Sequence, residues 1–417
     1  MAESRWLKGL SRNVLVLGAV SGLTDISSEM LYPVMPLFLT AVLHAPMTVV
    51  GLIEGTAEAT ASLLKAASGI WSDRTSRRKP FVLWGYGLSA LSKPLLALAW
   101  AWPFVLFCRF LDRTGKGVRT SARDALLAAS AAPEHWGKAF GLHRAMDTAG
   151  AVAGPLVTVF LLSVCGLGYR SIFLIAAVPA ALGVFVLAAF VTERPHDGTA
   201  RAPDGTAKAP DGTAAPRGGA AGFAALRAAN DRLSPDYKRL LLVYGLFAAG
   251  NSSDVFLLLK AAQCGLSPTS VVLAYVLYNA VYALAAAPAG RLADRLGRTR
   301  TLAAGLGVFA GVYLGFARAA SGSSVWLLFP VYGCYAALAE SSLNAAIAER
   351  CGAGGRAAAM GIFQGAVGLL ALAASLAAGW LWSHVSPAAP FYLGAACAAA
   401  AAVLLAVLVP PAVRART

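Results

Sequence analysis

Twelve stretches of about 20 mostly apolar residues, separated by short clusters of charge, limit what this chain can become more than any other feature. A helix rises ~1.5 Å per residue, so a run of that length crosses the ~30 Å hydrocarbon core of a bilayer. In that solvent every backbone N–H and C=O must find its partner inside the protein, which makes each run a helix. The runs fall near 13–40, 48–70, 81–101, 103–130, 139–163, 170–191, 239–262, 268–290, 301–318, 324–348, 357–381 and 390–410, numbered here as spans 1 to 12. Composition agrees, with 58% hydrophobic and only 13% charged residues. The expected fold is therefore an all-α membrane protein of twelve transmembrane helices. The first run is expected to remain in the protein: it is long, carries Asp25 and Glu29, and precedes no small-residue cleavage site.

A net charge of +15 raises the question of a nucleic-acid partner, and the placement of the charge answers it. With the N-terminus in the cytoplasm, the inward segments hold Arg5, Lys8 and Arg12, then Arg74, Arg77, Arg78 and Lys79. They also hold eight Lys/Arg from Arg194 to Arg239, and later Arg291, Arg295, Arg298, Arg300, Arg350, Arg356, Arg414 and Arg416. The outward loops keep little beyond Arg170, Arg318 and Lys260. This asymmetry is the positive-inside rule. It predicts a multi-pass protein of the cytoplasmic (inner) membrane with both termini cytoplasmic, and no nucleic-acid surface. The six cysteines lie mostly inside spans without metal or redox spacing, so they are expected to pack as small apolar residues. No cofactor and no metal is expected.

The chain repeats itself. GIWSDRTSRRKP at 69–80 returns as GRLADRLGRTR at 290–300, an offset of 221, and WGKAFG at 136–141 returns as RAAAMG at 356–361, an offset of 220. Two matches at nearly one offset predict a duplicated six-helix unit. The expected domains are an N-terminal bundle over 1–192, a polar linker over 193–238 and a C-terminal bundle over 239–417. The linker contains RAPDGTAKAPDGTA, too polar to build a core and read as a flexible tether. Residues 223–233 suit a short amphipathic helix on the membrane surface.

The loop between spans 2 and 3 presents Gly69, Asp73, Arg74, Arg77, Arg78 and Lys79, and the second copy presents Gly290, Asp294 and Arg295. A glycine permits close helix approach, and a carboxylate can pair with nearby cations or a helix N-terminus. This pattern, Gly-x-x-x-Asp-Arg-x-x-Arg-Arg/Lys, resembles that of the major facilitator superfamily, and the resemblance extends over almost the whole chain. It implies two pseudo-symmetric six-helix bundles, transport by alternating access, and a gating role for this loop. Arg109 stands where the family places a buried arginine linked to proton transfer, although Asp112 and Arg113 depart from the pattern. Gly141, Gly150, Gly154 and Pro155 match the antiporter motif of the family's exporters, without its terminal glycine pair, since Thr158 and Val159 stand there.

The intramembrane charges are the candidate working parts, because each one left unpaired at mid-bilayer costs ~2.5–3.5 kcal/mol on insertion scales. Asp25 and Glu29 share a face of span 1, and Glu54 and Glu58 share one of span 2. Arg109, Arg113, Lys116 and Arg123 share a face of span 4, while Arg119 and Arg123 are expected to snorkel to the interface. Span 5 adds His143, Arg144 and Asp147; the second half offers Asp254, Glu340 and Asn344. Tyr275, Tyr278 and Trp380 are expected to pack or anchor.

Asp25 and Glu29 resemble the proton-coupling acids of the family's multidrug antiporters. The expected function is proton-coupled export of a small polar or amphipathic molecule. Glu54, Glu58, Arg109, Arg113 and Asp147 would tune the acids or touch substrate. The expected partners are that substrate, protons and lipid, and the expected state is a monomer. Symport of a small organic ion, or export of a metal cation, is the alternative; the arginines argue against a cation. The histidines form no HExxH pair, and no nucleophile elbow or nucleotide loop occurs, so no enzyme is expected.

Overall fold

The computed structural model describes residues 10–75, 78–193, 233–350 and 356–409. The heptad repeat of the linker and residues 223–232 lie outside that set. The described chain is helical, and its helices make twelve spans. TM1 (Arg12–Leu31 with Met35–Ala41) and TM7 (Pro235–Gly250 with Val255–Gln263) are each broken in the middle. TM2 (Met47–Thr75), TM3 (Lys79–Ala97), TM4 (Trp102–Ala129), TM5 (Trp136–Ser163) and TM6 (Tyr169–Phe190) complete the first bundle. TM8 (Pro268–Leu296), TM9 (Arg298–Arg318), TM10 (Gly322–Arg350), TM11 (Arg356–His384) and TM12 (Ala389–Leu408) complete the second.

Among the described residues, nine spans are long and apolar enough to be recognised as membrane-crossing by composition; TM2, TM3 and TM4 are not. Those three carry much of the buried charge of the first bundle, and the site is built there. TM2 and TM8 run on to Thr75 and Leu296, well past their apolar runs, so their charged ends stand clear of the hydrocarbon.

The duplication is visible helix by helix. Trp102 and Gly322, Trp136 and Arg356, and Tyr169 and Ala389 start equivalent helices 220 residues apart. The breaks repeat as well: the second pieces of TM1 and TM7 start at Met35 and Val255, again 220 apart. Pro33 lies in the first break and Asn251–Asp254 in the second, so one break is made by a missing N–H and the other by polar residues that compete for the backbone. Even a side-chain contact is duplicated. Arg78 Nη1 donates to the carbonyl of Ala125 at 3.1 Å, and Arg298 Nη1 to that of Ala345 at 3.3 Å, tying the start of the third helix to the end of the fourth in each bundle.

The face that carries the ends of TM1 and TM12 is called basal here, and the opposite face distal. On the distal side the apolar core is continuous between bundles: Leu31, Val34 and Phe38 belong to the same buried cluster as Val255, Phe256 and Leu257. The basal end of the first bundle has its own cluster, around Leu17, Tyr86, Leu126 and Leu187. The bundles are thus joined distally by a continuous apolar core, and TM2 stays against TM11 as far as Ser62 and Gly368.

Close backbone contact needs glycine at two places. A Cβ on Gly150 or Gly154 would lie 2.8 Å from the Gly22 carbonyl or 2.6 Å from that of Ile26, which lets TM5 lie against TM1. Gly55 similarly admits Leu372, bringing TM11 onto TM2. The close approach expected at Gly290 is absent: among the described residues a Cβ there would meet nothing within 4 Å, and the same holds at Gly141.

Gly154→Leu is therefore expected to lower the melting temperature of the detergent-purified protein by an overpacking cost of about 1–3 kcal/mol. Gly141→Ala should leave it unchanged or slightly raised, since alanine favours helix by up to ~1 kcal/mol. A Gly154→Leu variant that melts like wild type would show that TM1 and TM5 do not meet there.

Candidate functional site

TM4 brings five cations and two acids, Asp112 and Asp124, into the first bundle, and the neighbouring helices arrange around them. Arg109 Nη2 donates to both oxygens of Glu54 on TM2, at 2.8 and 2.7 Å, in a pair almost wholly buried. Lys93 of TM3, 1% exposed, donates to Asp112 at 2.6 Å, and Ser89 donates to the same oxygen at 2.5 Å. Asp112 also lies 4.0 Å from Arg109 and 3.9 Å from Arg113. The residue that breaks the family pattern is thus the counter-charge for a buried lysine.

Below these pairs, Asp25, Ser28 and Glu29 of TM1 face Arg113, Lys116 and Arg119 of TM4 across a small cavity of about 30 Å³. Glu29 accepts a hydrogen bond from Tyr275 of TM8 at 2.8 Å, so this acid sits where the bundles meet. Tyr275 therefore does more than pack. Arg119 does not snorkel: it is buried, its guanidinium 4.4 Å from the centre of the Tyr86 ring. The close contact of TM3 and TM4 holds it there, since Gly85 abuts Arg119. Arg123 bonds Asp124 at 2.9 Å and Ser21 at 3.2 Å, a partner that also keeps it inside the bundle.

A larger cavity of about 410 Å³ lies basal to the first and between the bundles. Glu58, Lys65, Lys116 and Thr120 line it from the first bundle; Tyr244, Glu340, Asn344, Phe363 and Gln364 line it from the second. Glu58 and Lys116 stand near the middle of their helices and the others in the basal halves, while the distal side is closed by apolar packing, so the cavity faces the basal side. Lys116 lines both cavities and joins them. Arg144 of TM5 lies 3.3 Å from Glu340 of TM10 and donates to Tyr282 of TM8 at 2.8 Å, while Tyr282 donates to Glu340. This ion pair joins the two bundles.

Of the residues singled out from sequence, Asp25, Glu29, Arg109 and Arg113 gather at the small cavity, and Glu58 at the larger. Glu54 is taken up by Arg109. Asp147 lines neither cavity; its carboxylate lies 3.3 Å from His143 one turn back. Asp254 accepts a hydrogen bond from Tyr332 at 2.6 Å beside the TM7 break. In the loop motif, the side chains of Gly69, Asp73, Arg74 and Arg77 lie outside the described residues. Arg78 reaches the TM4 end as above, and the backbone N–H groups of Arg78 and Lys79 donate to Glu193, a carboxylate at the N-terminus of TM3. Asp294 and Arg295 are exposed. Sequence reasoning gave little weight to Lys116, Arg119 and Tyr275. The charges on TM4 were a signal for the first two; Tyr275 carried none, because its role depends on a contact across 246 residues of chain. Among the described residues, no three His, Cys, Asp or Glu side chains gather in a way that could hold a metal.

Removing one partner of the Glu54–Arg109 pair should strand a buried charge. Glu54→Gln is expected to destabilise the protein by about 3–5 kcal/mol, and the double variant Glu54→Leu/Arg109→Met to recover most of that loss. Thermal unfolding in detergent reads both; equal losses in single and double variants would show that the two charges do not depend on each other.

Comparison with known proteins follows the same outline. The family model described as Major Facilitator Superfamily matches residues 17–261 and 240–417. An MFS-type transporter of Methanocaldococcus jannaschii is 34% identical over 402 residues, covering 95% of this chain and 94% of its own. A protein of Mycobacterium tuberculosis is 28% identical over 381 residues, covering 89% and 87%. Among solved structures, the nucleoside transporter NupG has a TM-score of 0.72 at 13% identity, covering 94% of this chain and 98% of its own. The human organic anion transporter MFSD10 has a TM-score of 0.67 at 18% identity, covering 94% and 99%. A bacterial homologue of the lysosomal transporter Spinster, in an inward-facing conformation, has a TM-score of 0.69 at 16% identity, covering 97% and 96%. At these identities the structural likeness concerns the fold.

Proposed function

This chain belongs to the major facilitator superfamily, so it is a membrane transporter, and we propose that it is a proton-coupled one in which Asp25 and Glu29 exchange the proton. The observation that carries this reading is the hydrogen bond from Tyr275 to Glu29. It crosses between the bundles, so when they rock the acid must change partners. A coupling site has to favour one state when protonated and the other when ionised, and an acid at a moving interface meets that requirement. Asp25, one turn away, lies within electrostatic reach of Lys116 and Arg119 and shares that fate.

The basal face carries Arg78, Lys79, Arg291, Arg295, Arg298 and Arg300, which supports placing it in the cytoplasm of a cell whose inner membrane the protein spans. The conformation described is then open to the cytoplasm. Residues 1–192 and 239–417 are the proposed bundles and 193–238 the proposed tether, with Gly69, Asp73, Arg74, Arg77, Arg78, Gly290, Asp294 and Arg295 as gating loops.

Two directions of coupling have support. The spacing of Gly141, Gly150, Gly154 and Pro155 favours antiport, with export of a small polar or amphipathic molecule against inward protons. Proteins of the same fold carry nucleosides and organic anions, which supports a small organic molecule as cargo. The cations around Asp25 and Glu29 favour the second reading, movement of an organic ion together with the proton.

Coupling can be tested without a known substrate. Spin labels at Val42→Cys and Ser323→Cys, in a cysteine-free background in nanodiscs, report the separation of the bundles at the distal face. The distance distribution is expected to shift between pH 5 and pH 8, and Asp25→Asn combined with Glu29→Gln should abolish most of that shift. The same shift in the double variant, or none in the parent protein, would place the proton site elsewhere.

A further inference from the structure

The two cavities do not balance their own charge. Arg109 and Lys93 are spent on Glu54 and Asp112. Among the described residues Arg113 reaches only Asp112, at 3.9 Å, and its Nε has no hydrogen-bond partner. Arg119 is 5% exposed, and its Nε and Nη1 are also without partners. Among the described residues Lys116 and Lys65 have no ion-pair partner, and both stand at the cavity walls. Facing these four cations at the cavity walls are Asp25 and Glu29 on TM1 and Glu58 on TM2; Glu340, also on the wall, is spent on Arg144, and Asp147 on TM5 acts on Asp25 from outside both cavities. Four positive charges against three negative ones leave a surplus of one, and proton uptake by the two TM1 acids raises it to three. A guanidinium buried with two unused donors is costly unless something negative reaches it.

We propose that Arg113, Lys116 and Arg119 form a subsite for the anionic group of an amphipathic organic anion, a carboxylate or a phosphate ester. This deepens the transport reading of the same cavities and rests on it. Lys116 opens onto the larger cavity, so an anionic head can be handed from the entrance to the buried arginines without leaving positive charge. An apolar body then lies against Leu343, Ile347, Phe363 and Val367, which form the opposite wall. Arg119 is held by Tyr86 and by the tight TM3–TM4 contact, which makes it a fixed donor and not a mobile one. Because protonation of Asp25 and Glu29 removes competing negative charge, anion and proton bind together, and by reciprocity each tightens the other.

Three compounds on one skeleton test this: 4-phenylbutane-1-sulfonate, 4-phenylbutyramide and 4-phenylbutylamine, with 4-phenylbutyrate and inorganic phosphate alongside. Binding to the full-length protein in detergent is read by thermal shift and calorimetry at pH 5.5 and 7.5; the sulfonate keeps its charge throughout. The sulfonate and carboxylate are expected to bind, and the amide and amine at least about tenfold more weakly. Lys116→Gln and Arg119→Gln should each weaken sulfonate binding about tenfold while eluting as folded monodisperse protein, with Arg119→Lys restoring part of it. Binding of the amine as tight as that of the acids, sulfonate affinity unchanged in both glutamine variants, or no stabilisation by either acid at 10 mM, would each overturn the subsite. Inorganic phosphate binding as tightly as the organic acids would overturn the amphipathic part. Tighter sulfonate binding at pH 5.5, made pH-independent by Asp25→Asn with Glu29→Gln, supports co-binding. Sulfonate binding that ignores pH in the parent protein upholds the subsite and removes the TM1 acids from coupling.

Discussion

A charge inside hydrocarbon has to be matched, and the first bundle is organised by that constraint. TM4 carries more cations than one helix can leave facing lipid, so TM2 and TM3 turn Glu54 and Lys93 inward and TM4 supplies Asp112 between them. These pairs are bidentate or doubly donated, the geometry that makes burial of charge tolerable. They fix TM2, TM3 and TM4 as a unit and present the remaining cations to TM1. TM1, free of cations in the membrane, answers with Asp25 and Glu29. The second bundle has little to match and is held by aromatic packing instead, with Tyr332 against Tyr278 and Tyr335 and Phe309 stacked on Tyr313.

This division of labour bears on motion. The charged network belongs to one bundle, and contacts between bundles are of a different kind. Distally they are mostly apolar, with Thr48 of TM2 donating to Ser383 of TM11 at 3.4 Å; toward the middle they are single polar contacts, Tyr275 to Glu29 and Arg144 to Glu340. Apolar surfaces can part and re-form without stranding a buried charge, and single polar contacts at a wet cavity can exchange with water. Rocking of the bundles about the central cavity therefore costs little in the terms that hold each bundle together. Glycines bring TM1 onto TM5 within the first bundle and TM2 onto TM11 across the seam.

Much of this was legible in the linear sequence, and the reasons are physical. Bilayer thickness sets the length of an apolar run, so the number of spans could be read directly. Duplication leaves a constant offset, which the helix starts at Trp102 and Gly322 and the breaks before Met35 and Val255 repeat. Gly150 and Gly154 announced a close helix contact. Gly141 and Gly290 looked alike in sequence, and among the described residues neither has a neighbour that a Cβ would touch, because a glycine records that approach is permitted and not that another helix is there.

What the sequence by itself determined was the helices, their number, their pairing into two related halves, and the presence of intramembrane charge that had to be neutralised. Those follow from local periodicity and from solvent, which act within one segment at a time. Only the tertiary structure decided which charge met which. Asp112 takes Lys93, Glu54 takes Arg109, Glu29 takes a tyrosine from the other bundle, and Arg119 is buried over a ring instead of reaching the interface. A charged residue carries its sign in the sequence but its partner only in space, since several acids stood within reach of several cations and packing distances of a few ångströms chose between them.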